Sequence, residues 1–441
     1  MNVNPITRLD YPDLDVIRVE DTYYMVSTTM HFMPGCEILQ SFDLVNWEHV
    51  TYVYETLDHT DAQQLKSGQN IYGQGMWAAS LRYHEGRFCI CFVANDTRKT
   101  YLYTSEKIDG PWKKQLIEGF YHDGSLLFDE DGRNYIVYGN DEIWITELNE
   151  DLTAPKKDGL HRLLVSDHKN PELGYEGSHI QKINGYYYIF LIHSLRDRWM
   201  RTEACFYSDS LEGEFTGGDV LCDDRGYCGQ GVAQGGIVDT PDGKWYAMLF
   251  QDSGAVGRIP ILLPVTWKDH FPFFGQNGHV PEEIEVHSTR PGYIYQPLVG
   301  SDDFCNGLLP RWQFNHDPDP RYYHLDALQG TYTITTREVC TELTQAVNTL
   351  TQRMSYPSCA AEVTVDASAL KEGDVAGLCA LQSCYAAVGI TKHHGKYEVL
   401  MLDKKEDGIL DMTEGTVVES HQMDFRLEAD FCNMKDEARC Y

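Results

Sequence analysis

The stretch GYEGSHIQKINGYYYIF, residues 174–190, contains the pattern that decides the fold. A strand-like run ends at the dipeptide Asn184-Gly185, which favours the tight turn of a β-hairpin, and an aromatic-rich run follows it. One acidic residue, Glu176, opens the first run. The stretch therefore predicts a hairpin that carries a carboxylate at the mouth of its first strand.

The same pattern of strand, tight polar turn and aromatic-rich strand occurs five times. The copies are PDLDVIRVEDTYYMVS (12–27), WAASLRYHEGRFCICFV (77–93), DGSLLFDEDGRNYIVYG (123–139), EGSHIQKINGYYYIFLI (176–192) and QGGIVDTPDGKWYAMLF (234–250). Their turns carry Glu20-Asp21, Glu85-Gly86, Asp131-Gly132, Asn184-Gly185 and Asp242-Gly243, which lie 46 to 65 residues apart. That spacing is typical of propeller blades, and few segments between the turns have a helical pattern. The sequence therefore predicts an all-β fold that begins with a five-bladed β-propeller.

The repeat also aligns the residues that open the first strand of each copy. Trp77, Asp123, Glu176 and Gln234 each lie nine residues before the turn glycine, and Asp13 lies eight residues before the corresponding turn residue. The first strand of each propeller blade lines the central channel, so equivalent positions converge at one face. We therefore expect these five side chains to share a central pocket.

Beyond about Gly300 the periodicity changes. RPGYIYQPLVGSDDF (290–304) has the composition of a linker, and alternating strand-like segments follow it: TYTITT (331–336), CAAEVTVDA (359–367), AGLCALQSCYAAVGI (376–390) and YEVLMLD (397–403). The sequence thus predicts a propeller domain over residues 1–297 and a β-sandwich over residues 298–441. The last residues contain no obvious closing strand, which leaves open whether the sandwich is complete.

Composition narrows the class of partner. A net charge of −31 argues against nucleic acid and against anionic membrane surfaces, because both repel an acidic protein. The 28 Tyr, 17 Phe and 8 Trp supply flat faces on which sugars stack. We expect a small neutral substrate, and the composition permits an oligomer without requiring one.

Targeting signals and cysteines indicate the compartment. The N-terminus has no basic and apolar leader pattern, and no apolar run approaches 18 residues. The 13 cysteines are odd in number and form no CxxC pair, so free thiols are expected rather than a disulfide framework. The sequence predicts a cytoplasmic protein.

Three carboxylates in one pocket cannot all ionise cheaply, so their pKa values are driven apart. Hydrolysis of a glycosidic bond needs such a split, with one protonated acid and one ionised base. A Ca²⁺ or Mg²⁺ site and three unrelated turn acids are the alternatives. Glu176 and His179 have the spacing of a metal-ligand pair, but residues three apart on a strand point to opposite faces, so no metal site is expected there.

The acidic segments YPDLDVIRVEDTYYMVSTT, YHDGSLLFDEDGRNYIV and GYEGSHIQKINGYYYIF resemble those of glycoside hydrolase family 43. FMPGCEILQSFDLVNWE, QGMWAASLRY and AVGRIPILLPVTW resemble further segments of that family. WQFNHDPDPRYYHL and AVNTLTQRM resemble the concanavalin-like sandwich of the family's β-xylosidases. The resemblance implies a five-bladed propeller enzyme that acts on xylan and arabinan side chains with inversion.

The resemblance also implies roles for single residues. Asp13 matches the general base, Glu176 matches the general acid, and Asp123 matches the carboxylate that keeps the acid protonated and orients it. Asp15 lies inside the apolar VIRV run and is a weaker candidate for the base.

A set of substrate-binding residues follows from the same resemblance and from position. Arg258 matches an arginine that pairs with carboxylates or sugar hydroxyls, with a surface arginine as the alternative. Trp77 and Phe32 match aromatic walls of the sugar pocket, with core packing as the alternative for Phe32. His31 and His122 flank pocket segments and are candidates for contact with sugar hydroxyls.

Two features depart from the familiar family pattern. Gln234 stands where many members carry a histidine that helps to hold Ca²⁺ or water on the axis, so no cofactor is required and an axial Ca²⁺ is a secondary possibility. The sandwich of related xylosidases continues beyond Tyr441, and one of its later loops helps to close the active site. If Tyr441 is the end of the chain, we expect a more open aglycone side.

The favoured function is an exo-acting β-xylosidase that releases xylose from the non-reducing ends of xylo-oligosaccharides. The alternative within the same chemistry is an α-L-arabinofuranosidase, because the two terminal pentoses present similar hydroxyl geometry. A sugar-binding propeller without catalysis is the alternative from another class. It is disfavoured because a lectin needs no protonated carboxyl group.

Overall fold

The computed structural model describes residues 2–432 and 436–441. Within those ranges no α-helix occurs, and the helical turns are three short 3₁₀ segments, Lys66–Gly68, Gly254–Val256 and Leu343–Gln345. The predicted all-β fold is confirmed. No helix in the described ranges has the length and apolarity needed to cross a membrane, and all thirteen cysteines carry free thiols.

Each predicted repeat forms part of one four-stranded antiparallel sheet, after a short leading strand β1 (Asn2–Val3). Sheet 1 consists of β2 (Asp15–Val19), β3 (Thr22–Val26), β5 (Gly35–Ser41) and β6 (Glu48–Tyr54), with β4 (Phe32–Met33) outside it. Sheet 2 consists of β7 (Met76–His84), β8 (Arg87–Ala94), β9 (Lys99–Ser105) and β10 (Lys113–Ile117). Sheet 3 consists of β11 (Ser125–Phe128), β12 (Asn134–Asn140), β13 (Glu142–Leu148) and β14 (His161–Ser166).

The last two sheets of this series follow the same order. Sheet 4 consists of β15 (Glu176–Ile183), β16 (Tyr186–Ser194), β17 (Arg201–Ser208) and β18 (Thr216–Leu221). Sheet 5 consists of β19 (Ala233–Asp239), β20 (Trp245–Asp252), β21 (Arg258–Lys268) and β22 (Phe271–Phe274). β23 (Glu283–Ile284) returns to pair with β1.

The core lies between neighbouring sheets. Buried clusters join sheets 1 and 2, sheets 2 and 3, sheets 3 and 4, and sheets 4 and 5. Middle strands such as β16 are therefore apolar on both faces, and their sequences contain near-continuous apolar runs instead of strict alternation. Burial on both faces explains the YYYIF run of the opening stretch.

The first strands of the five sheets contact one another in cyclic order, from β2 through β7, β11, β15 and β19 back to β2. A hydrogen bond crosses each junction between the sheets. The five donor–acceptor pairs are Leu81 N to Asp15 Oδ2, Leu126 N to Ser80 Oγ, Ile180 N to Ser125 Oγ, Gln181 Nε2 to the Ile237 carbonyl, and Arg18 Nη2 to Asp239 Oδ2.

The segment after sheet 5 contributes several short strands. β24 (Gln313–Asn315) lies between β4 and β27 (Leu350–Thr351), and β25 (Tyr323–Asp326) pairs with β26 (Thr331–Ile334). Phe314 and Asn315 pair with Met33 and Phe32. The segment thereby adds two strands beside β4, which carries Phe32, a candidate residue of the sugar pocket.

Two further sheets follow toward the C-terminus. One consists of β28 (Ser358–Asp366), β34 (Gln422–Asp430) and β35 (Glu437–Cys440). The other consists of β29 (Val375–Leu381), β30 (Tyr385–His393), β31 (Lys396–Lys404), β32 (Leu410–Met412) and β33 (Thr416–Val418). Buried Phe425 from the first sheet and Val388 and Ile390 from the second belong to one apolar cluster.

The chain divides into two compact units. Residues up to Thr7, Tyr11–Asp252 and Arg258–Arg353 form the first, and Arg8–Asp10, Ser253–Gly257 and the residues from Met354 onward form the second. The segment 298–353 groups with the first unit in this division. The expected boundary after residue 297 stays a prediction.

Candidate active site

Asp13 lies two residues before the start of β2, in a left-handed backbone conformation with φ of 51°. Its carboxylate is buried, and both oxygens accept hydrogen bonds. Arg258 Nη1 donates to Oδ1 at 2.8 Å, and Thr28 Oγ1 donates to Oδ2 at 2.7 Å. These two partners fix the direction of the carboxylate, and the guanidinium balances its charge.

Asp123 and Glu176 form a second carboxylate group with His122 between them. His122 Nε2 lies 3.6 Å from Asp123 Oδ2 and 3.5 Å from Glu176 Oε2. The Gly177 amide donates to Asp123 Oδ2 at 3.0 Å, and Asn140 Nδ2 donates to Glu176 Oε2 at 2.6 Å. One acid is thus buried and the other, Glu176, is partly open to solvent.

The protonation states of this group follow from burial and neighbouring charge. Burial raises the pKa of Asp123 to about 6, and the charges of Glu176 and Asp13 add to the rise, although His122 and the Gly177 amide oppose it. Burial alone would lower the pKa of His122, but Glu176, Asp123 and Asp13 together raise it to about 8. At neutral pH the histidine is therefore an imidazolium beside two carboxyl groups.

The residues that hold the carboxylates were not found by sequence reasoning. Thr28 follows β3, Asn140 ends β12, and Asp252 ends β20, close to Arg258. In an antiparallel hairpin the end of the second strand lies beside the beginning of the first. Polar residues at the ends of the second strands were therefore the available signal, whereas the predicted site residues came from the first strands.

Of the two predicted aromatic residues, Trp77 contacts His122 and Phe32 packs on His31. Trp77 faces His122 edge-on, with 6.0 Å between the ring centroids, and its Nε1 donates to the Gly73 carbonyl at 3.3 Å. Phe32 is half-buried and stacks on His31 at 4.2 Å. His31 is 2% exposed, and its ring packs against Phe32 and Tyr72.

Gln234, the fifth predicted opening residue, is buried and has a φ of 62°. Its amide N–H donates to Glu203 Oε2 at 2.7 Å, and its side chain lies against Gly177. It thus contacts the glycine that follows Glu176. Gln234 belongs to the packing beneath the acid.

Asp15 and His179 form a separate pair. Asp15 Oδ2 accepts from Arg82 Nη1 at 2.6 Å, and Asp15 Oδ1 lies 3.3 Å from His179 Nδ1. His179 is directed to Asp15 and not to Glu176. Asp15, the weaker candidate for the base, is neutralised by a buried ion pair.

The family model of glycosyl hydrolases family 43 matches residues 3–272. The chain belongs to this family. A second model, the β-xylosidase C-terminal concanavalin A-like domain, matches residues 301–440. The predicted family membership and the prediction of a glycoside hydrolase are confirmed, and family 43 glycosidases need no cofactor.

Curated relatives of this family 43 chain have two related activities. A β-xylosidase of Formosa agariphila is 27% identical over 91% of this chain and 76% of its own length. A non-reducing end α-L-arabinofuranosidase of Bacteroides ovatus is 23% identical over 93% of this chain and 79% of its own length.

Solved family 43 structures share the fold. A bifunctional GH43-CE protein of Bacteroides eggerthii is 42% identical, with a TM-score of 0.92, and covers 100% of this chain. This chain spans 57% of that protein. An engineered family 43 hydrolase with endo-xylanase and exo-arabinofuranosidase activity is 27% identical, with a TM-score of 0.83, over 100% of this chain and 89% of its own.

Proposed function

We propose that this chain is an exo-acting β-xylosidase that removes terminal xylose from xylo-oligosaccharides with inversion at the anomeric carbon. The observation that carries the proposal is the separation of the carboxylates into two environments. Asp13 is oriented by Arg258 and Thr28, whereas Asp123 and Glu176 share the surroundings of His122. An inverting glycosidase needs one carboxylate that activates water and one carboxyl group that donates a proton.

We infer that sheets 1–5 are the blades of a five-bladed propeller. The cyclic contacts of the first strands and the hydrogen bond at each of the five junctions support this inference. Glu176 opens β15, and Asp13 and Asp123 each lie two residues before the first strand of their sheet. They would then lie at one end of the central channel, and a channel blocked below them would accept only the end of an oligosaccharide.

The proposed reaction breaks the bond between the anomeric carbon and the glycosidic oxygen. Water attacks the anomeric carbon from the opposite face, and Asp13 accepts a proton from that water as the new C–O bond forms. Glu176 donates its proton to the departing oxygen. Asp123, whose Oδ2 accepts from the amide of the adjacent Gly177, is proposed to orient the acid.

His122 is proposed to stabilise the product state of the acid. Once Glu176 has given up its proton, its carboxylate lies 3.5 Å from the imidazolium of His122. The positive charge favours that carboxylate, and so it lowers the cost of proton donation. The Trp77 ring contacts His122 in a T-shaped arrangement, with 6.0 Å between the ring centroids.

An axial Ca²⁺ does not fit the residues around Gln234. The Gln234 side chain packs on Gly177, and nearby His179 is directed to Asp15. In the described part of the chain the one cluster of three candidate ligand atoms is His122, Asp123 and Glu176, and a metal there would have to displace the proton of His122. No step of the proposed reaction uses a metal.

α-L-Arabinofuranosidase activity is the second candidate, because the curated relatives include an arabinofuranosidase over 93% of this chain. The test is hydrolysis of aryl β-D-xylopyranoside beside aryl α-L-arabinofuranoside, with Glu176→Ala as the control and with chelator in a parallel series. We expect higher kcat/KM on the xyloside, loss of turnover in Glu176→Ala and no effect of chelator. Preference for the arabinoside would move the assignment to the second candidate, and no turnover of either would refute both.

A further inference from the structure

Two buried histidines meet beside the candidate active site. His316, which directly follows β24, and His31, which precedes β4, are 0% and 2% exposed, and their ring centroids lie 4.8 Å apart. His31 also stacks on Tyr72 at 4.4 Å and on Phe32 at 4.2 Å. Neither histidine touches a carboxylate of the site. Each histidine instead has a ring nitrogen that accepts a hydrogen bond from a backbone amide.

Each histidine accepts a hydrogen bond from the same short backbone segment, residues 71–73. The Ile71 amide donates to His316 Nε2 at 3.0 Å, and the Gly73 amide donates to His31 Nδ1 at 3.2 Å. A ring nitrogen that accepts from an amide must be unprotonated, so both imidazoles are neutral. Burial is the main cause that lowers the pKa of His316 to about 4 and that of His31 well below its usual range.

The second ring nitrogen of His316 also has a hydrogen-bond partner, which fixes the tautomer of the ring. Because Nε2 accepts from Ile71, Nδ1 carries the hydrogen, and it donates to Asn315 Oδ1 at 3.0 Å. Asn315 is itself held, since its Nδ2 donates to the Thr344 carbonyl at 3.0 Å and its amide to the Thr349 carbonyl at 2.9 Å. The segment that follows sheet 5 thus presents a rigid acceptor to Ile71.

From segment 71–73 the contacts continue into the site. The Gly73 carbonyl accepts from Trp77 Nε1 at 3.3 Å, and the Trp77 ring faces His122, which lies 3.5 Å from Glu176. On the other side Met30 and Met76 pair through their backbones, next to Thr28, which donates to Asp13. The two histidines therefore lie where the segments that orient the base and the acid are joined.

We propose that His316 and His31 are positioning residues for the glycosidase: their acceptor nitrogens fix segment 71–73 and, through Gly73 and Trp77, the wall beside His122 and Glu176. The inference rests on the proposed function. It assigns a role in the site to a residue from beyond the five sheets. The positioning role also explains why two imidazoles that do not contact the carboxylates are buried beside the candidate active site.

Amide variants test the acceptor atoms separately from packing. A glutamine side chain places its oxygen near the position of Nε2, and an asparagine places its oxygen near the position of Nδ1. At position 316, His316→Gln should therefore retain the bond to Ile71 and His316→Asn should lose it. At position 31 the order reverses, because Gly73 donates to Nδ1: His31→Asn should retain the bond and His31→Gln should lose it.

The readouts are KM and kcat on whichever aryl glycoside the wild type hydrolyses better, and the inhibition constant of the matching free pentose. Loss of one buried hydrogen bond should raise KM and the inhibition constant about tenfold in His316→Asn and His31→Gln, with a smaller change in kcat. The two retaining variants should stay within about threefold of the wild type. His324 is the exposed residue of β25, so His324→Asn is the matched control and should behave like the wild type.

The decisive result is the opposite order of the Gln and Asn variants at the two positions. A loss of packing alone would impair both amide variants at each position alike. The same ranking at both positions, or no difference within either pair, would overturn the proposal. If a variant at one position does not fold, as thermal unfolding will show, the pair at the other position decides. An inactive wild type would instead refute the proposed function, and the positioning role would be refuted with it.

Discussion

Asp13 and Asp123 show how one residue type acquires two roles from its neighbours. Both precede the first strand of a sheet and both have left-handed backbone conformations, with φ of 51° and 48°. Aspartate is one of the few residues that tolerate this conformation. Asp13 faces a guanidinium, whereas Asp123 faces a second carboxylate across an imidazolium. The two environments therefore originate in the partners and not in the backbone.

Replacement of Glu176 by Gln should separate substrates by leaving group. The amide cannot donate the catalytic proton, so turnover of xylobiose should fall by about 100-fold to 10,000-fold. A dinitrophenyl xyloside, whose leaving group needs little protonation, should lose less than about tenfold. Glu172→Gln, an exposed acid in the preceding loop, is the matched control. Equal losses on both substrates would remove Glu176 from the role of acid.

Replacement of Asp123 by Asn should move the pH dependence of kcat/KM. Asp123 at 7% exposure has a pKa raised to about 6, so above that pH its negative charge opposes loss of the catalytic proton nearby. Without this charge the alkaline limb should shift to lower pH, by roughly one pH unit. An alkaline limb that stays in place would contradict the assigned role, and Asp131→Asn in the exposed turn of the same sheet should leave the limb unchanged.

At the scale of elements, irregularities in the first strands shape the site. The pairing register shifts between Met76 and Ala79 in β7, between Glu176 and His179 in β15, and between Ala233 and Gly236 in β19. Each β-bulge turns backbone groups out of the ladder. In β15 the bulge contains Gly177, whose amide is thereby free to donate to Asp123.

Gly177→Ala should damage both stability and activity. Gly177 has φ of +66°, and an added Cβ would lie 2.6 Å from Gln234 Cγ. Gly185, in the turn of the same hairpin, has φ of +85° and open space around it. Gly185→Ala should therefore cost only the backbone strain, about 1 kcal/mol, with normal kcat/KM.

Gly177→Ala should cost about 2 kcal/mol or more and lower kcat/KM at least tenfold, because the clash displaces the amide from Asp123. Urea unfolding and steady-state kinetics of the two variants measure the contrast. Equal effects of the two substitutions would show that Gly177 serves only as a turn-former. Gln234→Ala combined with Gly177→Ala should restore part of the loss, because it removes the clashing side chain.

The hairpins were predictable from sequence because Asn-Gly and Asp-Gly turns and the runs beside them are local signals. The bulges were not, because Trp77-Ala78, Gly177-Ser178 and Gln234-Gly235 share no residue type that marks one. Roles carried by long-range partners were equally hidden. Nothing near Asn140 in the sequence indicates that it holds Glu176, 36 residues later.

At the scale of the whole molecule, one arginine joins four of the five sheets. Arg82 on β7 donates to Asp15 of sheet 1, to Ser125 Oγ and the Leu126 carbonyl of sheet 3, and to the Ile180 carbonyl of sheet 4. Sequence reasoning gave Arg82 no role, because its importance follows only from the meeting of the first strands. The family resemblance, in contrast, was carried by local motifs and was available at once.

Arg82→Met should destabilise the first unit by about 3–5 kcal/mol, because it leaves the buried Asp15 carboxylate without its ion-pair partner. Arg87→Met, on the same hairpin but exposed, should cost less than about 0.5 kcal/mol. Urea unfolding at neutral pH measures both. A loss below about 1 kcal/mol in Arg82→Met would contradict a central structural role.

The same ion pair sets an acid dependence. Burial alone would raise the pKa of Asp15, but Arg82, His179 and the Leu81 amide lower it to about 2. An unfolded aspartate has a pKa near 4, so between about pH 4 and pH 2 the unfolded state binds the proton first and stability falls as pH falls. The wild type should lose about 2 kcal/mol from this group over that window, and Arg82→Met should lose less.

The central claim is that the Asp13 and Glu176 groups hydrolyse a terminal β-xyloside with inversion. The most direct measurement is a proton NMR time course of aryl β-D-xylopyranoside hydrolysis, with Asp13→Ala as the control that is expected to be inactive. α-D-Xylose should accumulate first and then mutarotate, and Asp13→Ala should yield no xylose. Initial formation of β-D-xylose, or turnover in Asp13→Ala at the wild-type rate, would contradict the claim.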